Sequence, residues 1–281
     1  MTTFISGYDV ESPDCLQAVR KILPVHELHN VPATLFIVAS LLDKQGKEYL
    51  KLLKDHPLIE IASHTMTHML LREHGYCGAP GPEDKYREEI AGSKKRLEEH
   101  FNCLISGFRP AVGFYNGLHD APLLLELCRE AEYSYISCLA WGPEETLPAL
   151  VRDSFTYAED GFSDLLEIPA HGWHENVMKG HTNLGPHRLQ LFPHPVPKAS
   201  LTGFIHTVKE EVNIHKVFID EAVEKDNGHS TLIWHPWSLH RFDPDMKMVD
   251  AVLSYVKELD MPVSTFADYE KKHKDMKINI F

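Results

Sequence analysis

The stretch Leu58-Ile59-Glu60-Ile61-Ala62-Ser63-His64-Thr65-Met66-Thr67-His68 joins a short apolar run directly to a pair of histidines. The run has the length and β-branched content of a strand. A helix starting at its end would set His64 and His68 one turn apart on one face, a spacing that lets two imidazoles share one cation. Taken alone, two unrelated histidines four residues apart are the plainer explanation, because the chain holds 19 histidines.

The same strand-then-chemistry pattern recurs outward from this stretch. Gly7-Tyr8-Asp9-Val10-Glu11 closes a run that begins at Thr3. In extended backbone, residues two apart face the same side, so Asp9 and Glu11 can share a pocket. A solvated acidic turn is the alternative for this pair. Gly107-Phe108-Arg109-Pro110-Ala111-Val112-Gly113 places an arginine after a strand, and Thr231-Leu232-Ile233-Trp234-His235-Pro236-Trp237 does the same with a histidine. Parallel strands deliver such residues at their carboxyl ends, where active sites of α/β folds form.

Strands are expected at Thr3–Tyr8, Ala33–Val38, Leu58–Ala62, Leu104–Phe108, Ser134–Cys138, Leu165–Ile168, Thr231–Trp234 and Val263–Thr265. Helices are expected at Pro13–Leu28, Asp43–Lys54, Glu83–Phe101, Ala121–Glu132, Thr202–Val223 and Asp245–Leu259. Their alternation predicts parallel βαβ units. The fold expected is α/β, a deformed parallel (β/α) barrel of seven or eight strands, with residues 1–281 forming a single domain. The part at about 169–200, rich in Pro, His and Gly, reads as an elaborated βα loop.

Bulk properties narrow the function. Hydrophobic residues make up 43% and charged residues 25% of the 281, as in ordinary globular chains. The net charge of -13 argues against nucleic-acid partners, whose phosphates would be repelled. No basic segment leads into a long apolar one at the amino terminus, and no stretch is long enough to span a bilayer, so no membrane partner is expected. The five cysteines are scattered without a Cys-x-x-Cys pair, which fits reduced thiols and a cytoplasmic location. Cys138 lies near a strand end without an identifiable base.

The motifs together resemble the polysaccharide deacetylases (carbohydrate esterase family 4, the NodB-homology fold). His64-Thr65-Met66-Thr67-His68 matches that family's His-[Ser/Thr]-x-x-His motif in full. Val31-Pro32-Ala33-Thr34-Leu35-Phe36 resembles its second strand, Phe108-Arg109-Pro110 its arginine motif, and Leu232-Ile233-Trp234-His235 its late histidine motif. Asp9-Val10-Glu11 departs from the usual pair of adjacent aspartates. With Leu166-Glu167-Ile168-Pro169-Ala170 and His235-Pro236, it resembles a branch near peptidoglycan-deacetylase-like and cyclic-amide-hydrolysing members.

The resemblance implies a metal-dependent hydrolase of C–N amide bonds in which Glu11, His64 and His68 hold one divalent ion. Zinc is the first candidate, with iron, cobalt, nickel or manganese as alternatives. Asp9 would be the general base, Arg109 its partner and His235 the acid. The implied substrate is an N-acetylated sugar or related small molecule, with cyclic amides of imide or allantoin type as the alternative. Two other readings stand beside it, a noncatalytic carbohydrate-binding barrel and an iron oxygenase with a two-histidine, one-carboxylate triad. Strand-and-helix alternation disfavours the last, whose scaffolds are usually all-β. Homo-oligomerisation is left open.

Less specific features have plainer expectations. Trp141, Trp173, Trp234 and Trp237 are expected in packing or at a substrate rim. His171, His174, His181, His187 and His194 are expected as solvated loop residues.

Overall fold

A computed structural model describes residues 1–278, with side chains up to His273 in the final helix. One sheet contains the strands β1 (Thr3–Val10), β2 (Ala33–Ile37), β3 (Ile59–Ser63), β4 (Gly107–Phe108), β5 (Tyr135–Ile136), β6 (Phe155–Tyr157), β7 (Phe162–Glu167), β8 (His229–Trp234) and β9 (Val263–Ser264). Their order is β6-β7-β5-β4-β3-β2-β1-β8, with β9 also pairing with β1. Every pairing is parallel except that of β6 with β7.

The helices are α1 (Cys15–His29), α2 (Leu42–Leu53), α3 (Ser93–Phe101), α4 (Pro122–Glu130), α5 (Glu175–Met178), α6 (Val208–Glu224), α7 (Pro236–Phe242), α8 (Lys247–Glu258) and α9 (Phe266–Ile278). No helix of the described residues is long and apolar enough to cross a membrane.

The deformed parallel barrel expected from the sequence is therefore present. β1, β2 and β8 are buried almost throughout, as strands covered on both faces must be. Inside, Phe36, Ile233 and Phe266 crowd Gly7, where an added Cβ would lie 3.1–3.2 Å from all three side chains. β7 and β8 are not neighbours in the sheet. The gap is crossed where His171, beyond β7, donates its backbone N–H to Thr231 O of β8 at 2.9 Å. The His171 ring accepts from Thr231 N and stacks on His229.

Three expectations shift. Phe155–Tyr157 is not among the expected strands; it forms β6, a short antiparallel edge with a register shift at Thr156/Tyr157. The helix expected from Thr202 starts at Val208, because Thr207 and Glu210 form a reciprocal capping box. The helix expected over Glu83–Phe101 contains a π-helical turn, Glu88–Gly92, ahead of α3.

Candidate active site

Register explains why the candidate residues meet. Ser63 pairs with Phe108 and Phe108 with Ile136, so the next residues, His64, Arg109 and Ser137, leave the sheet at one level. On the other side, Tyr8 pairs with Trp234, which brings Asp9 and Glu11 beside His235. All five strands are parallel, so their chemistry emerges at one rim.

The segment after β3 is not the helix that would have set the histidines one turn apart. Thr65 and His68 instead have left-handed backbone, with φ of 67° and 66°. The resulting kinked loop is tied by neighbours on both sides. Ala39 and Ser40 donate to the carbonyls of Thr65 and Met66, and His68 N–H donates to Thr65 Oγ1. Glu89, in the π-helical turn, accepts from both Thr67 N and Thr67 Oγ1 at 2.9 and 2.6 Å. The imidazoles still converge, with ring centroids 5.0 Å apart.

Glu11 completes a cluster with them in which one donor atom from each residue lies within 4.8 Å of the others. Glu11 Oε2 is 3.0 Å from His68 Nε2 and 3.9 Å from His64 Nε2. His64 Nδ1 donates to Arg109 O at 2.9 Å, so that in the neutral ring the lone pair lies on Nε2, which is turned toward the cluster. That buried Nε2 has no hydrogen-bond partner in the structure. An imidazole fixed by a carbonyl and holding a free lone pair beside a carboxylate and a second imidazole fits a divalent cation. Burial would raise the Glu11 carboxyl, but His235 and the two histidines outweigh it and hold it well below the usual range.

Asp9 is buried, and Arg109 Nε donates to both of its oxygens at 2.8 and 3.0 Å. Arg109 Nη1 is anchored on Ser137 O at 2.8 Å. Burial pushes the Asp9 carboxyl up, yet Arg109, His64 and His235 together bring it below its ordinary value. His235 Nε2 is 3.9 Å from both Asp9 Oδ2 and Glu11 Oε2. All six residues singled out in the sequence thus lie at one site.

Two further participants were not foreseen as such. Glu175, on α5 within the irregular part, is fully buried and accepts from His235 Nδ1 and from His235 N, each at 3.1 Å. Burial would lower the His235 imidazole, but Glu175, Glu11 and Asp9 raise it to about 10. Glu175 is brought to about 2, against its own burial, chiefly by His235. Trp237 was expected in packing or at a rim; its indole donates to Glu11 Oε1 at 2.7 Å.

The loop histidines were expected in solvent. His171 is instead buried and His174 packs on Trp141 while donating to Ala140 O. His181 donates to or accepts from Ser238 Oγ. Only His187 of the five is exposed. Beside Asp9, Glu11 and His235 opens a cavity of about 170 Å³ with walls that include Cys77, Val112, Trp141, Asn176, Val177 and Leu184. Gly113 also lines this cavity, and a Cβ there would lie 2.5 Å from Cys138 O, so the close approach requires glycine.

The polysaccharide deacetylase family model matches residues 2–134, which include Asp9, Glu11, His64, His68 and Arg109 but not Glu175 or His235. No curated protein matches the chain. A Mycobacterium smegmatis protein assigned as a polysaccharide deacetylase is 19% identical, covering 98% of this chain and 91% of its own, with a TM-score of 0.69. A Pseudomonas aeruginosa protein with the same assignment is 16% identical over 96% and 89%, with a TM-score of 0.62. A carbohydrate esterase family 4 pseudoenzyme from Bacillus anthracis is 10% identical over 96% of this chain and 65% of its own, with a TM-score of 0.52. At these identities the structural likeness is one of fold.

Proposed function

We propose that this chain, whose residues 2–134 match the polysaccharide deacetylase family model, is a metal-dependent hydrolase of C–N amide bonds. The observation that carries this reading is the convergence of Asp9, Glu11, His64, His68, Arg109 and His235 on one rim. Fold alone would not suffice, since a pseudoenzyme shares it.

Glu11, His64 and His68 would hold one divalent ion, zinc in the first instance. When bound, such an ion supplies Lewis acidity that polarises a carbonyl and acidifies water. Arg109 keeps Asp9 ionised and aims it, so that Asp9 can take the proton of an attacking water. His235, held as a cation by Glu175, faces Asp9 across the site and can protonate the departing amine. An amide nitrogen does not leave as an anion, so this proton is needed for C–N cleavage. The raised affinity of His235 for its proton depends partly on Glu11; neutralising that carboxylate by coordination would make His235 a readier donor.

The substrate of this reading is an N-acetylated sugar or a related small molecule. The cavity volume supports a second reading for the same machinery. About 170 Å³ is well under the roughly 300–1,000 Å³ of pockets that enclose drug-sized ligands. A single small ring, such as a cyclic amide, suits it better than a polymer strand.

The test is a metal analysis of purified protein joined to two activity panels, acetate release from N-acetylated saccharides and ring opening of cyclic imides and ureides. One ion per chain with turnover on either panel supports the reading, and the panel that responds decides between the substrates. An ion-loaded protein inert on both would favour the carbohydrate-binding alternative, which saccharide binding without turnover would establish.

A further inference from the structure

Glu11 stands where a shorter carboxylate is usual in the family pattern, and its two oxygens have different surroundings. Oε1 accepts the Trp237 indole N–H at 2.7 Å. Oε2 faces His68 Nε2 at 3.0 Å, with His64 Nε2 and His235 Nε2 each at 3.9 Å. The contact is built into the fold. β1 and β8 lie side by side with Tyr8 opposite Trp234, so Glu11 and Trp237, each three residues further on, rise together. Pro236 opens α7 at its first position and so sets the direction in which Trp237 departs. The rings of His181 and His235 lie 5.9 and 6.2 Å from the indole and confine it.

A free glutamate carboxylate can bind a cation through one oxygen or both, and its long side chain loses rotamer freedom on doing either. The indole N–H is a donor only, so it can fix an oxygen without itself competing for the metal. We propose that Trp237 is a positioning residue that turns Oε1 of Glu11 aside and presents Oε2 as a single-oxygen ligand. The inference rests on the metal-site reading above. It accounts for how the longer carboxylate serves in this site: the extra methylene reaches the indole, and the hydrogen bond removes the freedom that the methylene adds. One oxygen from Glu11 also leaves more coordination positions for water and substrate than two would.

The experiment measures Zn²⁺ and Co²⁺ dissociation constants by chelator competition for the full chain, Trp237→Phe, Glu11→Gln and the double variant. Trp237→Phe keeps an aromatic ring, though a smaller one, and removes the donor; loss of such an outer contact typically weakens metal binding by about 10–100-fold. That loss is expected with one ion still bound per chain. In the Glu11→Gln background, Trp237→Phe is expected to add no comparable loss, because its route to the metal has already been removed. Failure of the native chain to bind an ion overturns the metal-site reading. Native binding with an affinity of Trp237→Phe within twofold of it overturns only the role of Trp237, as do fully additive losses. If Trp237→Phe does not fold, the native chain still decides the matter through its indole N–H resonance, assigned to Trp237 by selective labelling. A signal that remains downfield and slow to exchange with Zn²⁺ bound supports the proposal. Loss of that protection on metal binding overturns it.

Discussion

Glu175 grips His235 at two points, accepting its ring Nδ1–H with one carboxylate oxygen and its backbone N–H with the other, each at 3.1 Å. The carboxylate is fully buried, so the contact sets both the direction of the ring and its charge. Glu175→Gln should bring the His235 titration down from about 10 toward the ordinary histidine range in the metal-free protein. It should also lower turnover by about 10²-fold or more, the usual scale for losing a general acid. Ring-proton NMR checks the first effect; an unmoved His235 titration would remove Glu175 from this role. Glu175, held at about 2, adds stability that is complete above its ordinary 4.5 and lost below it. His235 adds stability that is complete below its ordinary 6.5 and lost as pH rises toward 10. The stability gap between native and variant should therefore be widest between these ordinary values, about pH 4.5 to 6.5.

Base and ligand can be separated by substitution. Asp9→Asn should retain the metal while turnover falls by about 10²–10⁴-fold. His64→Ala or His68→Ala should empty the site. Elemental analysis beside initial rates makes the distinction, and a metal-free Asp9→Asn protein would mean that Asp9 is a ligand rather than the base.

Glu89 supports the kinked loop from the π-helical turn, and its removal should be felt at the metal. Glu89→Ala leaves Thr67 N–H and its hydroxyl without their acceptor, a loss of about 1–3 kcal/mol in stability. Because Thr67 adjoins His68, metal affinity should fall as well. Denaturant unfolding and metal titration measure the two effects, and a drop in stability with unchanged affinity would show that the loop holds its shape without Glu89.

Acid should destabilise the fold before most carboxylates titrate. His26 and His171 are buried and neutral, each lowered by burial from 6.5 to about 4. His26 Nδ1 donates to Val31 O and Nε2 accepts from the Tyr8 hydroxyl. Protonation would place a second donor against that hydroxyl. The stability such depressed groups contribute is complete above 6.5 and is lost as pH falls through about 4. Each costs roughly 1.4 kcal/mol for every pH unit crossed in that interval. Unfolding measured from pH 7 to 4 should follow this slope, with Glu175 adding to it below about 4.5. A flat profile between 6.5 and 5 would refute it.

The strand ends were legible because apolar runs announce buried parallel strands, and the residue after each run announces itself by its chemistry. That logic located Asp9, Glu11, His64, Arg109 and His235 from local pattern alone. His68 was found for a reason that did not hold: the convergence with His64 comes from left-handed turns at Thr65 and His68, which a helical spacing does not imply. Glu175 was hidden because its significance depends on burial against a strand 60 residues away in sequence. Trp237 was visible but ambiguous, since an indole that packs and an indole that donates share one sequence signature. The 169–200 region reads as an elaborated βα loop with solvated histidines because Pro, Gly and His suggest one; that it supplies a buried carboxylate and part of the cavity wall is decided by tertiary contacts.

The bond from His171 N–H to Thr231 O, which crosses the gap between β7 and β8, has a mechanical corollary. It works as a clasp whose free end continues, four residues later, into Glu175. Opening the clasp would slacken the tether on His235 and one side of the cavity at once. Barrel integrity and the setting of the His235 ring are thereby geared together, and a substitution at this seam would report at the rim without touching any residue there.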